Sequence, residues 1–323
     1  MGVSGLERAF FGDATREQID GWVTARAEEL LGERVAELCL RAGRIDAVYG
    51  LRLGADRVVV KVHRPPVDLR ALAAAVEVLG HLHATGYPCP RPIAGPVRRD
   101  GQVVTVQQFL GGGTQPDAQQ PQVRRLFAAS LAEHVELLRG LDQDLVARLG
   151  PGPAWTRYHG GPWPVPHDPV FDFSRTPEGW EWLDAFAAAA TADLAQNEAG
   201  APVVAHGDWY VGNVRVEEDR VVAVFDWDFV VEPEPVVVGL SAGGLLLEGA
   251  PSPADVAAFV DDYAQVSPAG LDRAQRRVAA AAARWVLAFN ARCDLAMLTG
   301  RPDPGSALGR LLDHRAAYRA LFG

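Results

Sequence analysis

The sequence predicts an α+β fold in two lobes. Residues 1–109 read as a small N-terminal lobe with an antiparallel sheet and one central helix, and residues 110–323 as a larger, mostly helical C-terminal lobe. Three observations predict it. Short strand-like runs crowd the first third of the chain, and apolar residues recur at helical spacing through most of the rest. A glycine-rich break, Gly111-Gly112-Gly113-Thr114-Gln115-Pro116, lies between them. The charge balance changes at that break: residues 1–110 carry 14 basic and 13 acidic side chains, residues 111–323 carry 17 and 28. A hinge is expected there, with the ligand site in the cleft between lobes.

Taken in order, residues 15–31 form an amphipathic helix opened by a Thr15/Gln18 capping box, with Ile19, Trp22, Val23, Leu30 and Leu31 on one stripe. Strands follow at Glu37–Arg41, Ala47–Leu53 and Arg57–His63, the last two joined by a turn at Gly54-Ala55-Asp56. A helix from Asp68 to Ala84 stops at Gly86 and Pro88. Two more strands, near Ile93–Val97 and Val103–Phe109, flank a turn at Arg99-Asp100-Gly101. Beyond the break, Val123–Leu141 and Glu178–Ala199 are helical, with a long Pro-, Trp- and His-rich loop, Gly150–Phe173, between them. A strand pair spans 203–226, and the remainder is mostly helix.

Composition excludes several classes. Apolar residues make up 48% and charged residues 22%, too apolar a mix for a disordered chain. The three cysteines, Cys39, Cys89 and Cys293, show no CxxC spacing, so neither a disulfide framework nor a cysteine zinc site is expected. The chain does not open on a basic segment followed by an apolar run, and the apolar run Val236–Leu247 is too short to span a bilayer. A cytoplasmic protein without a membrane partner, monomeric or homodimeric, is expected. The net charge of −10, concentrated after residue 110, would repel a phosphate backbone and argues against a nucleic-acid partner. Of 31 basic residues, 30 are Arg and one is Lys, namely Lys61, inside the apolar run Val58-Val59-Val60-Lys61-Val62. A lone compact ammonium there suits phosphate oxygens, although a sheet-edge lysine would also fit.

The chemistry concentrates in His206-Gly207-Asp208-Trp209-Tyr210-Val211-Gly212-Asn213 and Phe225-Asp226-Trp227-Asp228. Residues 213–224 alternate around Glu217–Arg220 as a hairpin, with Val216 facing Val221 and Asn213 facing Val224. Asp226 then lies about 7 Å further along, within reach of one cation shared with Asn213 across strands about 4.8 Å apart. Asp208 leads into the same hairpin. Oxygen donors without a cysteine cluster suit Mg²⁺, which completes its shell with substrate phosphates. That is the requirement of phosphoryl transfer, in which a carboxylate positions the attacking hydroxyl.

H-G-D-x-x-x-x-N followed by D-W-D resembles the aminoglycoside phosphotransferase family of small-molecule kinases, which shares its bilobal fold with protein kinases. The resemblance implies that Asp208 is the catalytic carboxylate and that Asn213 and Asp226 are Mg²⁺ ligands. It implies that Lys61, paired with Glu77 16 residues later, contacts the phosphates of ATP or GTP. Gln108 and Leu110 would border the nucleotide. His206 fits an orienting or a core residue, Asp228 a substrate-side or a solvated carboxylate, and Trp209 and Trp227 a core wall or rings that stack on substrate. Two departures stand out. No G-x-G-x-x-G precedes Ala47, and Pro235-Val236-Val237-Val238-Gly239-Leu240 lacks the Asp of the family's usual Pro-x-x-Asp-Leu stretch.

Gly207 replaces the Arg that protein kinases use to grip an activation-loop phosphate. Only five residues separate Asp226 from Glu232, leaving no room for an activation segment. A small hydroxylated acceptor is therefore expected. The acidic second lobe suggests a cationic one, such as an aminoglycoside, with Glu232, Glu234 and Asp294 receiving ammonium groups. The loop rings Trp155, Tyr158, Trp163 and Phe173 would wall a sugar or pack the loop. Kinases of sugars, of choline- or homoserine-like metabolites and of macrolides are the alternatives. From other classes, a catalytically silent nucleotide-binding module is the alternative, or a metal hydrolase using His206, Asp208 and Asp226.

Overall fold

The computed structural model describes residues 2–159, 161–168, 170–196, 200–246 and 248–323. The last residues of the helix expected over 178–199, two positions of the 150–173 loop (160 and 169) and the end of the apolar run at 247 lie outside the described residues. The chain divides into two compact units, Met1–Gly111 and Gly112–Gly323.

The first unit opens with α1 (Gly5–Phe11) and α2 (Arg16–Leu31), each started by a reciprocal capping box, Ser4 with Glu7 and Thr15 with Gln18. The strands β1 (Glu37–Ala42), β2 (Ala47–Leu53), β3 (Asp56–His63), β4 (Pro92–Arg99) and β5 (Gln102–Gln108) form one antiparallel sheet in the order β1-β2-β3-β5-β4. Gly54, at φ 57°, opens the tight turn between β2 and β3, while Asp100 and Gly101, both at positive φ, make the primed turn between β4 and β5. Strand alternation decides which side chains are buried. Val58, Val60 and Val62 of β3 pack with Tyr49 and Leu51 of β2, Val104 and Val106 of β5, and Ile19, Val23 and Ala27 of α2. Each large apolar side chain so buried stabilises the unit by about 1.5–3 kcal/mol. Val59, Lys61 and His63 therefore project from the opposite face of the sheet. α3 (Leu69–Ala84), capped by Asp68, packs against β4. The sheet's main core thus comes from the two N-terminal helices, of which the first, α1, carries too short a pattern to read from sequence.

The second unit contains α4 (Pro121–Leu138), α5 (Gln143–Leu149), a single turn at Ala154–Thr156, and α6 (Glu181–Gln196). Strands β6 (Pro202–His206), β7 (Val214–Glu217), β8 (Arg220–Val224) and β9 (Phe229–Pro233) follow, then α7 (Glu234–Gly244), α8 (Pro253–Val266), α9 (Arg273–Ala296) and α10 (Ala307–Arg319). The strand pair expected over 203–226 is corrected to two antiparallel ribbons: β7 with β8, and β6 with β9. β9 follows the motif and pairs back over more than twenty residues, a partnership that local pattern does not show. At the centre, α7 and α9 approach so closely that a Cβ on Gly239 would strike the backbone oxygen of Ala279 and lie 2.6 Å from Ala282 Cβ. The glycine-rich break enters this unit under restraint. Thr114 exchanges two 2.9 Å backbone hydrogen bonds with Val216, and a Cβ on Gly113 would lie 2.7 Å from Val222 Cγ2.

Candidate active site

The two ribbons bring the motif residues together. At one junction the Gly207 N–H donates to Asp228 O at 2.6 Å, and at the other the Phe225 N–H donates to Asn213 O at 2.8 Å. Gly207 is required by packing: a Cβ would lie 2.7 Å from Val230 Cγ1 and 3.1 Å from Asp228 O, so no larger residue fits without displacing β9.

The hairpin register departs from the expected one. Val216 faces Val221 as the pattern indicates, but a bulge lets Val214 face Val224, and Asn213 sits outside the ribbon on a 3₁₀ turn, Val211–Asn213. Its carbonyl opposes Phe225, which brings Asn213 one residue nearer to Asp226 than an unbroken ladder would. The Asn213 amide nitrogen donates to Asp208 O at 3.0 Å and to Asp208 Oδ2 at 3.1 Å. Its nitrogen thus holds the Asp208 carboxylate, which leaves Oδ1 as the amide's remaining acceptor. Asp226 has left-handed backbone, φ 53°, a conformation open to Asp, Asn and Gly and costly for most other residues.

His206 ties the loop to the hairpin through both ring nitrogens. Nδ1 accepts from the Asp208 N–H at 3.1 Å, which places the ring proton on Nε2, 2.9 Å from Phe225 O. Behind it lies His134 of α4, a residue the sequence reading did not single out. Its Nε2 accepts from the His206 N–H at 3.3 Å, and it is fully buried. Burial, then the neighbouring His206, hold the His134 imidazole well below its ordinary pKa, so it stays neutral. Trp209 and Trp227 enclose the pair, with ring centroids 5.1 and 5.4 Å from His134. Trp209, 2% exposed, is a core wall. The only hint of His134 in the sequence is a histidine on the apolar stripe of α4.

Burial, and then the charge of Asp226, push the Asp208 carboxyl up to about 6, against the pull of its Asn213 hydrogen bond. Two carboxylates close enough to repel, beside an amide oxygen, form a donor set that suits a hard divalent cation completed by phosphate oxygens. Among the described residues no group of three or more His, Cys, Asp or Glu could hold a metal by itself.

The other expected site residues fall as follows. Lys61 lies on the central strand β3, between Val48 and Thr105, on the face away from the α2 core. On that face His63 bridges Asp46 at 2.8 Å and Thr105 at 2.8 Å. Glu77 is exposed on α3, and Gln108 and Leu110 lie at the end of β5, where Gln108 Oε1 accepts from the Arg91 N–H at 3.3 Å. In the second unit Asp228 is exposed beside Gly207. Glu232 on β9 accepts from Tyr158 Oη at 2.9 Å, and burial raises its pKa. Glu234 is engaged by Arg139 at 2.6 Å, Tyr263 at 2.7 Å and Ser267 at 3.1 Å. Asp294 accepts from the Leu308 N–H at 3.0 Å, holding the first turn of α10. No described helix is long and apolar enough to cross a membrane.

An antiparallel five-stranded sheet in one unit, and a loop carrying Asp208 set against the β7–β8 hairpin in a helical second unit, define a protein-kinase-like α+β fold. The model of the phosphotransferase enzyme family (APH) matches residues 39–237, and the chain belongs to that family. Solved structures agree in fold. An amicoumacin kinase, in complex with AMP-PNP, Ca²⁺ and Ami, superposes with a TM-score of 0.68 at 11% identity, covering 95% of this chain and 97% of that one. An aminoglycoside phosphotransferase from Alicyclobacillus acidocaldarius gives 0.58 at 15% identity, with 91% and 93% covered. A thermostable mutant of aminoglycoside phosphotransferase APH(4)-Ia, in ternary complex with ADP and hygromycin B, gives 0.51 at 15%, with 92% and 95% covered. At these identities the likeness is one of fold. No curated protein shows significant sequence similarity to the chain.

Proposed function

We propose that the protein transfers the terminal phosphoryl group of ATP or GTP to a hydroxyl of a small molecule. The observation that carries this reading is the convergence of Asp208, Asn213 and Asp226, with the Asp208 carboxyl raised to about 6. Asp208 orients the acceptor hydroxyl and takes its proton, and a carboxyl titrating near 6 is better matched to that transfer near neutral pH than an ordinary aspartate. Asn213 keeps that carboxylate in place through its amide nitrogen. Asn213 Oδ1 and an Asp226 oxygen would hold Mg²⁺, which when bound neutralises phosphate charge and aligns the phosphates. Lys61, helped by Glu77, supplies the remaining positive charge to the nucleotide phosphates. Gln108 and Leu110 border the nucleotide.

A cationic acceptor would need open carboxylates. Glu234 and Asp294, two of the three expected to supply them, are instead engaged inside the fold.

The test incubates purified full-length protein with Mg²⁺, ATP or GTP and a panel of hydroxylated acceptors, and reads a mass gain of about 80 Da for one phosphoryl group. Transfer should be lost in Asp208→Asn. In Lys61→Met the nucleotide KM should rise at least about tenfold. Wild-type turnover in Asp208→Asn would overturn the assignment.

A further inference from the structure

Beyond the motif residues, a cavity of about 610 Å³ opens between residues 151–159 and 163–165 on one side and β9 on the other. That volume is ordinary for a small-molecule site, about 300–1,000 Å³. Its lining includes Arg157, His159, Trp163, Val165, Val231 and Glu232. The Trp163 ring is held in place: its Nε1 donates to Asp184 Oδ1 at 2.6 Å, and it meets Phe173 edge-on at 6.0 Å. Glu232 is likewise fixed by the Tyr158 hydroxyl, with His159 Nε2 3.8 Å from its other oxygen. Arg157 is anchored by a 3.0 Å hydrogen bond to Gly152 O. The Trp163 ring and the Glu232 carboxylate are thus held in place before any ligand arrives, with the exposed Arg157 and His159 side chains beside them.

The cavity belongs to the same stretch of chain as the catalytic loop. Gly152 packs on β9, where a Cβ would lie 3.2 Å from Phe229 O, and Thr156 lies next to Gly207, its Cγ2 3.7 Å from where a Gly207 Cβ would be. β9 leads from Asp228, bonded to Gly207, to Glu232 four residues on, about 13 Å at the usual strand rise. A molecule presenting a hydroxyl to Asp208 would therefore reach this cavity with a part of itself one to two rings away.

The charges decide what that part is. One carboxylate, already bonded by Tyr158, shares the cavity with a guanidinium and an imidazole. A polycationic ring would bring like charges against Arg157 and find one counter-charge among the lining residues, an unfavourable match. Hydroxyls match all three groups: they donate to Glu232, accept from Arg157 and either donate to or accept from the His159 imidazole, while the C–H face of a sugar lies on the Trp163 ring.

We propose that this cavity binds an uncharged, hydroxylated ring of the acceptor, remote from the phosphorylated hydroxyl. The proposal rests on the phosphotransfer reading for the identity of the acceptor.

The test is saturation-transfer NMR on the full chain without nucleotide, using a set of uncharged p-nitrophenyl hexopyranosides and, separately, the cationic pseudo-disaccharide neamine. The glycosides should receive saturation, and neamine should bind at least about tenfold more weakly. The glycoside signal should fall at least about fivefold both in Trp163→Ala and in Val165→Arg, the latter at a position 69% exposed where folding is not at risk. Preferential binding of neamine, silence from every glycoside, or a glycoside signal indifferent to both substitutions would each overturn the proposal. Calorimetry with Mg²⁺ and AMP-PNP on the same samples keeps the readings apart: nucleotide binding without glycoside binding defeats the cavity alone, and the reverse defeats phosphotransfer.

Discussion

Asp208→Asn should make the metal-free protein more stable while removing its turnover. Burial and the charge of Asp226 raise the Asp208 carboxyl to about 6 from an ordinary 3.8, so its ionisation opposes folding. With a raised folded-state value, the deficit is nearly absent below the unfolded value, grows as pH rises from about 4 to 6, and is constant above. Near pH 7 it amounts to about 3 kcal/mol, and near pH 4 to about 0.5 kcal/mol. Asparagine keeps an amide oxygen for the Asn213 hydrogen bond and carries no charge, so it recovers most of this. Urea unfolding in a chelating buffer reads the difference, and thermal unfolding should show roughly 6–12 °C near pH 7. The gap should shrink towards pH 4. Equal stability of the two proteins near pH 7, or a gap unchanged by acidification, would refute the idea that a desolvated, repelled carboxylate sits at this position.

Other perturbations follow from the same structure. Asp226→Asn keeps a residue that tolerates the left-handed backbone but removes a charge, so Mg²⁺-dependent nucleotide affinity should fall at least about tenfold by calorimetry, while the metal-free protein, relieved of the repulsion on Asp208, should not lose stability. Gly239→Ala drives a methyl into the backbone of α9 and should destabilise the second unit by about 1–3 kcal/mol, seen as a lowered urea midpoint. Glu7 is 6% exposed, and although burial alone would raise its pKa, hydrogen bonds from Ser4 and the Arg16 guanidinium hold it below the ordinary glutamate value. Its charge therefore stabilises the fold above the unfolded value, and that contribution is lost as pH falls through the folded one. Glu7→Gln should cost about 1–3 kcal/mol near neutrality, with the difference closing in acid.

Local rules carried the reading where local forces decide the structure. Thr15 and Gln18 announce α2 because an N-cap is a four-residue affair, and the Gly54 and Asp100-Gly101 turns mark their hairpins through positive φ. The H-G-D-x-x-x-x-N and D-W-D runs point to the family because their residues lie at short separations in the chain, and the fold brings Asp208, Asn213 and Asp226 together. What was missed is non-local. β9 pairs with a strand over twenty residues earlier, and the bulge that moves Asn213 depends on how two ribbons meet. Asp294 looked like a carboxylate open to substrate because nothing in its own helix says that the start of α10 will need an acceptor. His134 is hidden for the same reason: its partner is a backbone N–H from another element.

The left-handed backbone at Asp226 also bears on how such a chain can decay. A codon drifting at random would meet two separate filters at this position, one conformational and one chemical. On the proposed role of Asp226, Asn and Gly pass the first and fail the second, so they are the replacements to look for in descendants that have shed catalysis but kept their architecture. A β-branched residue there would signal that the surrounding loop itself had been rebuilt.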